Sequence, residues 1–424
     1  MHPVTTASLI EIIFWGVVTF SILVVIHEGG HFLAARAFGI KVHEFMIGLP
    51  GPALRVHTKS TAFGVTAVPF GGYVRIAGME PGPEDELLGP ALAAALSQDR
   101  IDTTGLSAIL GVDTNRASAL LFTLSDWGAI AASKDDKVSY EPAMARNEGE
   151  SDEALLARAR SITYRGAPTW KRIVVLAMGV AVNLAAAVLV FTIVLSGWNF
   201  YEQSLTLDAV AEGGAAQQAG IQPGDTITAF DGKEVADWYE LATGILLHDP
   251  GDIVVVEYEH NGKVGSTTVG LGESEDGSAY LGVQSGLREV DLGVWEAFKE
   301  SFTWVRVVFE AIISLFNPKT FTQVAGNATS VIGISVMAAE EVEAGPLNYA
   351  WFIAFLSLTL GIMNVLPIPP LDGGKIVLEL VEKVRGRPLD RQVAIGLSLA
   401  GALLLFSLIS YIMYVDVMRF VVNA

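Results

Sequence analysis

The 424-residue chain contains no cysteine. Disulfides and thiolate-held metals are thereby excluded, so a zinc ion would need His, Asp or Glu. Histidine is itself scarce, at seven residues, so two of them at a helical spacing form a pointed signal. Basic charge is also short: 27 Lys and Arg face 46 Asp and Glu, a formal net charge of −19. That balance argues against a nucleic-acid partner. No Lys or Arg precedes Arg36, so the first apolar segment lacks the basic leader region of a cleaved signal peptide. It is expected to remain as a transmembrane helix. Apolar residues are plentiful, at 51% with a mean hydropathy of +0.45, which predicts a membrane protein with soluble parts.

The chain is organised around Ile26-His27-Glu28-Gly29-Gly30-His31, which has the form H-E-x-x-H. Positions i and i+4 of a helix share a face, so both imidazoles can reach one ion. Glu28 can then serve as general base for an attacking water. The competing reading is a pair of helical histidines satisfied by polar neighbours. The apolar run from Leu9 to Ile26, with Glu11 as its only charge, leads directly into the motif. Ionisable groups at membrane depth are costly and mark function. Gly29 and Gly30 each cost a helix about 1 kcal/mol relative to Ala. A face of small residues that admits a second backbone, that of the third span, would explain them.

Four segments qualify as spans: about 8–33, 171–197, 348–367 and 394–418. Arg36, Lys41, Arg55, Lys59 and Arg75 follow the first, and Arg165, Lys171 and Arg172 precede the second. Lys375, Lys383, Arg385, Arg387 and Arg391 separate the third from the fourth. The positive-inside rule then puts both termini outside and the 34–170 and 368–393 loops in the cytoplasm. Val65 to Ile76 reads as two short strands around a Phe-Gly-Gly turn, a hairpin that could offer an edge to an extended peptide. Residues 80–165 form an acidic insertion with helical patterns near 91–98, 116–132 and 151–161, and no evident chemistry. Residues 203–287 read as a small soluble domain, expected outside. Residues 293–316 read as an amphipathic helix, lying on the membrane surface or against the spans.

A hydrolytic zinc usually has three protein ligands. The best remaining candidate is Asp372, just past the third span and after Pro367, Pro369 and Pro370, which end the helix. Its plain alternative is an exposed loop aspartate beside a Gly-Gly turn. Asn364 lies a turn or more earlier, where it could bond an extended substrate or orient a ligand. His43, His57, His248 and His260 fall in strand or loop contexts and are taken as surface residues.

These motifs together resemble a family. H-E-G-G-H-F-L-A-A-R-A-F-G-I-K-V-H-E-F-M-I-G (27–48), V-P-F-G-G-Y-V-R-I-A-G-M (68–79) and N-V-L-P-I-P-P-L-D-G-G (364–374) look like bacterial site-2 proteases of the regulator-of-sigma-E type. The stretch from Val210 to Asp225 is similar to that family's PDZ domain. The resemblance implies His27, His31 and Asp372 as ligands of one zinc ion and Glu28 as the base. It implies that Val68 to Met79, with Gly71, Gly72 and Tyr73, holds substrate as a strand. It places Asn364 and Pro367 along the substrate path. Asn183 corresponds to the Asn of the family's Gly-Pro-x-x-Asn, although Val180 replaces the proline, and it is a candidate substrate-binding residue and polar lining. A Gly-Pro common in the family is also missing near 330–334, and the insertion is longer than usual.

The expected fold is thus a polytopic α-helical membrane protein of about four transmembrane helices, with a membrane-associated β-hairpin region and one extracytoplasmic PDZ-like α+β domain. Its divisions are 1–79 (first span and β-loop), 80–165 (insertion), 166–198 (second span), 203–287 (PDZ-like domain), 293–345 (amphipathic helix and linker) and 346–424 (third and fourth spans). By the resemblance it sits in a bacterial inner membrane. The resemblance further implies that it cleaves transmembrane segments of single-pass proteins such as anti-sigma factors or signal-peptide remnants. Its other partners are the bilayer and a peptide or protein ligand of the PDZ-like domain. The rival readings are a catalytically silent PDZ-bearing scaffold and a zinc-dependent metal transporter. Four spans, a soluble domain and a single H-E-x-x-H fit the transporter poorly.

Overall fold

A computed structural model describes residues 8–418, apart from 59, 81, 134, 137, 198, 199, 275, 276, 291, 318 and 319. The chain divides into two compact units, residues 1–187 with 329–424, and residues 188–328.

The first unit begins with helix α1 (Leu9–Ala37). Its only early charge acts locally. Glu11 and Ser8 form a capping box, with the Ser8 N–H donating to Glu11 Oε2 at 2.7 Å. Strands β1 (Val42–Ile47), β2 (Ala53–His57), β3 (Ala62–Thr66) and β4 (Gly72–Ile76) follow. Their order in the sheet is β2-β3-β1-β4, with β1 parallel to β3 and antiparallel to β4. The expected hairpin across Phe70-Gly71-Gly72 is therefore corrected, because β3 and β4 flank β1 instead of pairing. The link between them wraps round the end of β1, where Gly48 N–H donates to the Gly71 carbonyl (2.8 Å) and Leu49 N–H to that of Val68 (3.0 Å). Gly48 is required there. Its φ is +103°, and a Cβ would collide with Thr66 and Val68.

The insertion is an ordered subdomain and contains more than the sequence suggested. It holds α2 (Leu88–Leu96), α3 (Thr103–Leu110), α4 (Thr114–Asp126), the hairpin β5 (Ile130–Ala132) and β6 (Tyr140–Pro142), and α5 (Asp152–Ser161). Side chains of Asp102, Asp113 and Ser151 cap α3, α4 and α5. Leu92, Leu106, Leu120, Leu121, Leu124 and Leu155 form its apolar core. Helix α6 (Thr169–Gly197) then runs on into the second unit.

In the second unit, β7 (Phe200–Val210), α7 (Ala215–Gln218), β8 (Thr226–Phe230), β9 (Lys233–Glu234), α8 (Trp238–Leu246), β10 (Ile253–His260), β11 (Lys263–Gly270), β12 (Gly272–Glu273), β13 (Ala279–Tyr280) and β14 (Val283–Val290) build a mixed α/β domain. The main sheet runs β11-β10-β8-β7-β14, with β9 on β8. Leu207, Ile221, Ile227, Phe230, Leu241, Val254 and Val256 fill its core. The amphipathic helix is α9 (Val294–Ser314), whose Arg306 holds Asp237 at 2.8 Å and Glu240 at 3.1 Å. Helix α10 (Phe321–Asn327) ends the unit.

Back in the first unit, the expected linker contains α11 (Val331–Ala344), which packs on α1 with Ser335 directly against Gly16. Helices α12 (Pro346–Val365), α13 (Asp372–Arg385) and α14 (Arg391–Val417) complete the chain. Helices α1, α6, α12 and α14 are long and apolar enough to cross a membrane. The protein is a membrane protein, with four such helices among the described residues and an α/β domain in the second unit.

Candidate metal centre

Among the described residues, one group of potential metal ligands converges: His27, His31 and Asp372. Helix α1 presents the two imidazoles one turn apart. Asp372 comes from the first turn of α13, brought back to α1 by the loop after α12. The two glycines that follow it make that return possible. A Cβ on Gly373 would run into the Val365 carbonyl, and one on Gly374 into Ile368 and Pro369. The Leu-Asp-Gly-Gly sequence is thus a packing requirement of the turn that delivers the carboxylate.

All three residues are buried, at 8%, 7% and 4% exposure. Asp372 Oδ2 lies 3.1 Å from the Nε2 of each histidine, and the two Nε2 atoms are 3.3 Å apart. Oδ2 is buried without a hydrogen bond. His31 Nδ1 donates to the Val175 carbonyl at 2.8 Å, which leaves a lone pair on its Nε2. Three potential donor atoms this close could hold one metal ion between them. Tetrahedral zinc with bonds of roughly 2.0–2.1 Å would separate its ligands by about 3.3 Å, so the donor set fits the ion.

The paired glycines of the motif play different parts. Gly30 meets the Met178 carbonyl and Gly179 of α6, where a side chain has no room, whereas Gly29 has no neighbour that a Cβ would touch. The expectation that this face admits the third span is corrected: the close partner is the second. Gly179 in turn lies against both imidazoles. Helix α12 reaches α1 elsewhere, through Tyr349 and Thr19, whose hydroxyls are 2.9 Å apart.

Glu28 turns its carboxylate to the sheet, and Oε2 accepts the Val74 N–H at 3.1 Å. Since β4 is the last strand in its sheet, this bond lies at the free edge. Gly72 packs its backbone on Met46 and on Val24 of α1, Gly71 has φ +85°, and the Tyr73 hydroxyl donates to Glu44 at 3.1 Å. Asn364 donates to the Leu360 carbonyl of its own helix at 2.9 Å, and Pro367 is exposed. Asn183 is fully buried, with its amide 3.2 Å from His27 Nδ1.

Two features escaped the sequence. His43 is not a surface residue; its Nε2 bonds the Asp126 carbonyl oxygen at 2.5 Å and lies 3.3 Å from the Asp126 carboxylate. Asp126 also accepts the Gly78 N–H at 2.6 Å, so the insertion grips the sheet beside the centre. The second feature is a buried charge cluster. Arg165 pairs with Glu382 (2.6 Å) and Arg172 with Glu379 (2.7 Å), tying α13 to the start of α6. Burial pushes the Glu379 carboxyl up, against the pull of Arg172 and Arg165. No spacing rule links residues so far apart in the chain.

The chain is similar over most of its length to known proteins. It is 27% identical to the zinc metalloprotease RasP of Shouchella clausii, over 94% of this chain and 97% of that one. It is 27% identical to a putative zinc metalloprotease of Streptococcus pyogenes serotype M1, over 95% and 98%. Among solved structures, the PDZ domain of an SdrC-like protein from Listeria monocytogenes matches at 21% identity with a TM-score of 0.18, covering 21% of this chain and 88% of that one. The pattern of peptidase family M50 matches residues 15–408, and the chain therefore belongs to that family as a membrane zinc metalloendopeptidase of the site-2 protease type.

Proposed function

We propose that the protein cleaves transmembrane segments of single-pass membrane proteins, as in regulated intramembrane proteolysis. The observation that carries the reading is the contact between Glu28 and β4. It sets a carboxylate one residue from His27 against a free sheet edge, next to helices apolar enough to span a bilayer. A peptide bond inside a helix is closed to attack, so the substrate must unwind, and a free edge accepts an extended chain through backbone hydrogen bonds.

In this reading His27, His31 and Asp372 hold the ion. Zinc, when bound, lowers the pKa of water and polarises a carbonyl. Glu28 accepts the proton of the attacking water and returns it to the leaving amine. Gly71, Gly72 and Tyr73 form the strand edge beside the scissile bond, and Asn364 and Pro367 line the approach. The protein then sits in a bacterial inner membrane, and the basic loops put both termini outside. The 203–287 region is then an extracytoplasmic PDZ-like domain that gates access and binds a peptide or protein ligand.

The test is cleavage of a reconstituted single-pass substrate with the cut mapped by mass spectrometry. The cut should fall within the apolar segment. Glu28→Gln should keep zinc and lose cleavage, while Asp372→Asn should lose both. Wild-type cleavage by either variant, or a cut confined to soluble regions, would sink the proposal.

A further inference from the structure

We propose that Asn183 is the positioning residue that fixes the ring of His27 as a metal ligand, by accepting its Nδ1–H through Oδ1. The inference rests on the reading of His27 as a zinc ligand and deepens it. A neutral imidazole that offers Nε2 to a metal carries its proton on Nδ1, and that N–H needs an acceptor. His31 satisfies the rule with the Val175 carbonyl, 2.8 Å away. His27 presents the same atom to the centre: its Nε2 is 3.1 Å from Asp372 and 3.3 Å from the other Nε2. The group 3.2 Å from its Nδ1 is the amide of Asn183.

In the structure the amide nitrogen faces Nδ1. A half-turn about the side-chain bond exchanges amide N and O with almost no change of shape, and the choice follows from the hydrogen bonding. Asn183 Oδ1 has no partner that would oppose the turn. With the amide turned, Oδ1 accepts from His27 as the Val175 carbonyl does from His31.

The surroundings suit this role. Val175, Gly179 and Asn183 stand at i, i+4 and i+8 on one face of α6. The first bonds His31, the second leaves room for both rings, and the third reaches His27. Asn183 is completely buried, and Ser357 Oγ of α12 donates to its carbonyl at 3.1 Å. It thus has a fixed backbone and faces a ligand atom, whereas a residue that contacts substrate should be open to the substrate path.

The full-length protein in detergent provides the test. Asn183→Asp keeps the size and supplies an obligate acceptor, whereas Asn183→Leu keeps similar bulk and supplies none. Zinc affinity by chelator competition should fall about 10- to 100-fold in Asn183→Leu and stay within about threefold of wild type in Asn183→Asp. With cobalt substituted for zinc, the visible ligand-field bands should shift in the Leu variant. That spectrum decides alone if the Asp variant does not fold. Equal loss in both variants would show that Asn183 donates to His27, and wild-type affinity and spectrum in the Leu variant would remove its role; either overturns the assignment. A wild-type protein that binds neither metal would instead overturn the zinc reading beneath it.

Discussion

Val74 gives its backbone N–H to Glu28 Oε2 at 3.1 Å, across 46 residues of chain. The carboxylate next to the metal centre is therefore set by the edge of a sheet as well as by its own helix. Strand β4 and Glu28 form one mechanical unit, so on the proposed role of Glu28 a change in the strand should be felt in the chemistry.

Val74→Pro removes that N–H while leaving the residue on an edge strand, where proline is tolerated. Zinc content should be unchanged. The kcat for a reconstituted substrate should fall roughly 100-fold, part of what a well-placed general base contributes. A wild-type kcat would mean that Glu28 is positioned by something else.

Gly30→Ala should disturb the centre and Gly29→Ala should not. A methyl on Gly30 collides with the Met178 carbonyl and Gly179, and overpacking of this kind costs about 1–3 kcal/mol. Thermal unfolding in detergent would report the difference between the two variants. Equal midpoints would contradict the close crossing of α1 and α6.

Arg172→Leu leaves Glu379 buried without its ion-pair partner and with only the Tyr164 hydroxyl bonded to it, which should destabilise the protein by about 3 kcal/mol. Adding Glu379→Leu should recover much of that loss, because a buried pair can be replaced by packed apolar groups at little net cost. A double variant as unstable as the single one would show that the pair supplies more than mutual neutralisation.

Asp126 predicts an acid-sensitive junction between the insertion and the sheet. Burial opposes its ionisation, but His43, the Gly78 N–H and Arg75 outweigh that and hold its carboxyl below the usual range. A depressed folded-state pKa means stabilisation that is present above about pH 4, the unfolded value, and is lost as pH falls through the folded one. Hydrogen exchange at Gly78 should rise over that acidic window in the wild type. Asp126→Asn should show faster exchange already at neutral pH and a flatter profile.

Because the chain has no cysteine, topology can be read from single introduced thiols. Lys263→Cys, on an exposed strand end in the second unit, should react with an impermeant reagent from outside the cell. Ser97→Cys, exposed in the insertion, should react only after permeabilisation. The reverse pattern would invert the orientation inferred from the basic loops.

The sequence alone determined the apolar segments and the H-E-x-x-H helix, and it offered Asp372 as a candidate that the structure brings to the two histidines. These signals are local: an i, i+4 spacing, an apolar run, a proline-ended helix before Leu-Asp-Gly-Gly. Only the tertiary structure decided what stands beside what. Strand order in the first sheet depended on a link that wraps round β1, and turn residues alone could not distinguish that from a hairpin. Gly30 was legible as a close-packing position, but its partner on α6 was not. The insertion was read as acidic, partly helical and without evident chemistry because Asp126 gains meaning only when α4 folds against His43 and Gly78. Asn183 looked like a polar lining until α6 placed it behind His27. In each case the deciding contact joins residues far apart in sequence, where neither period nor propensity carries a signal and packing sets the outcome.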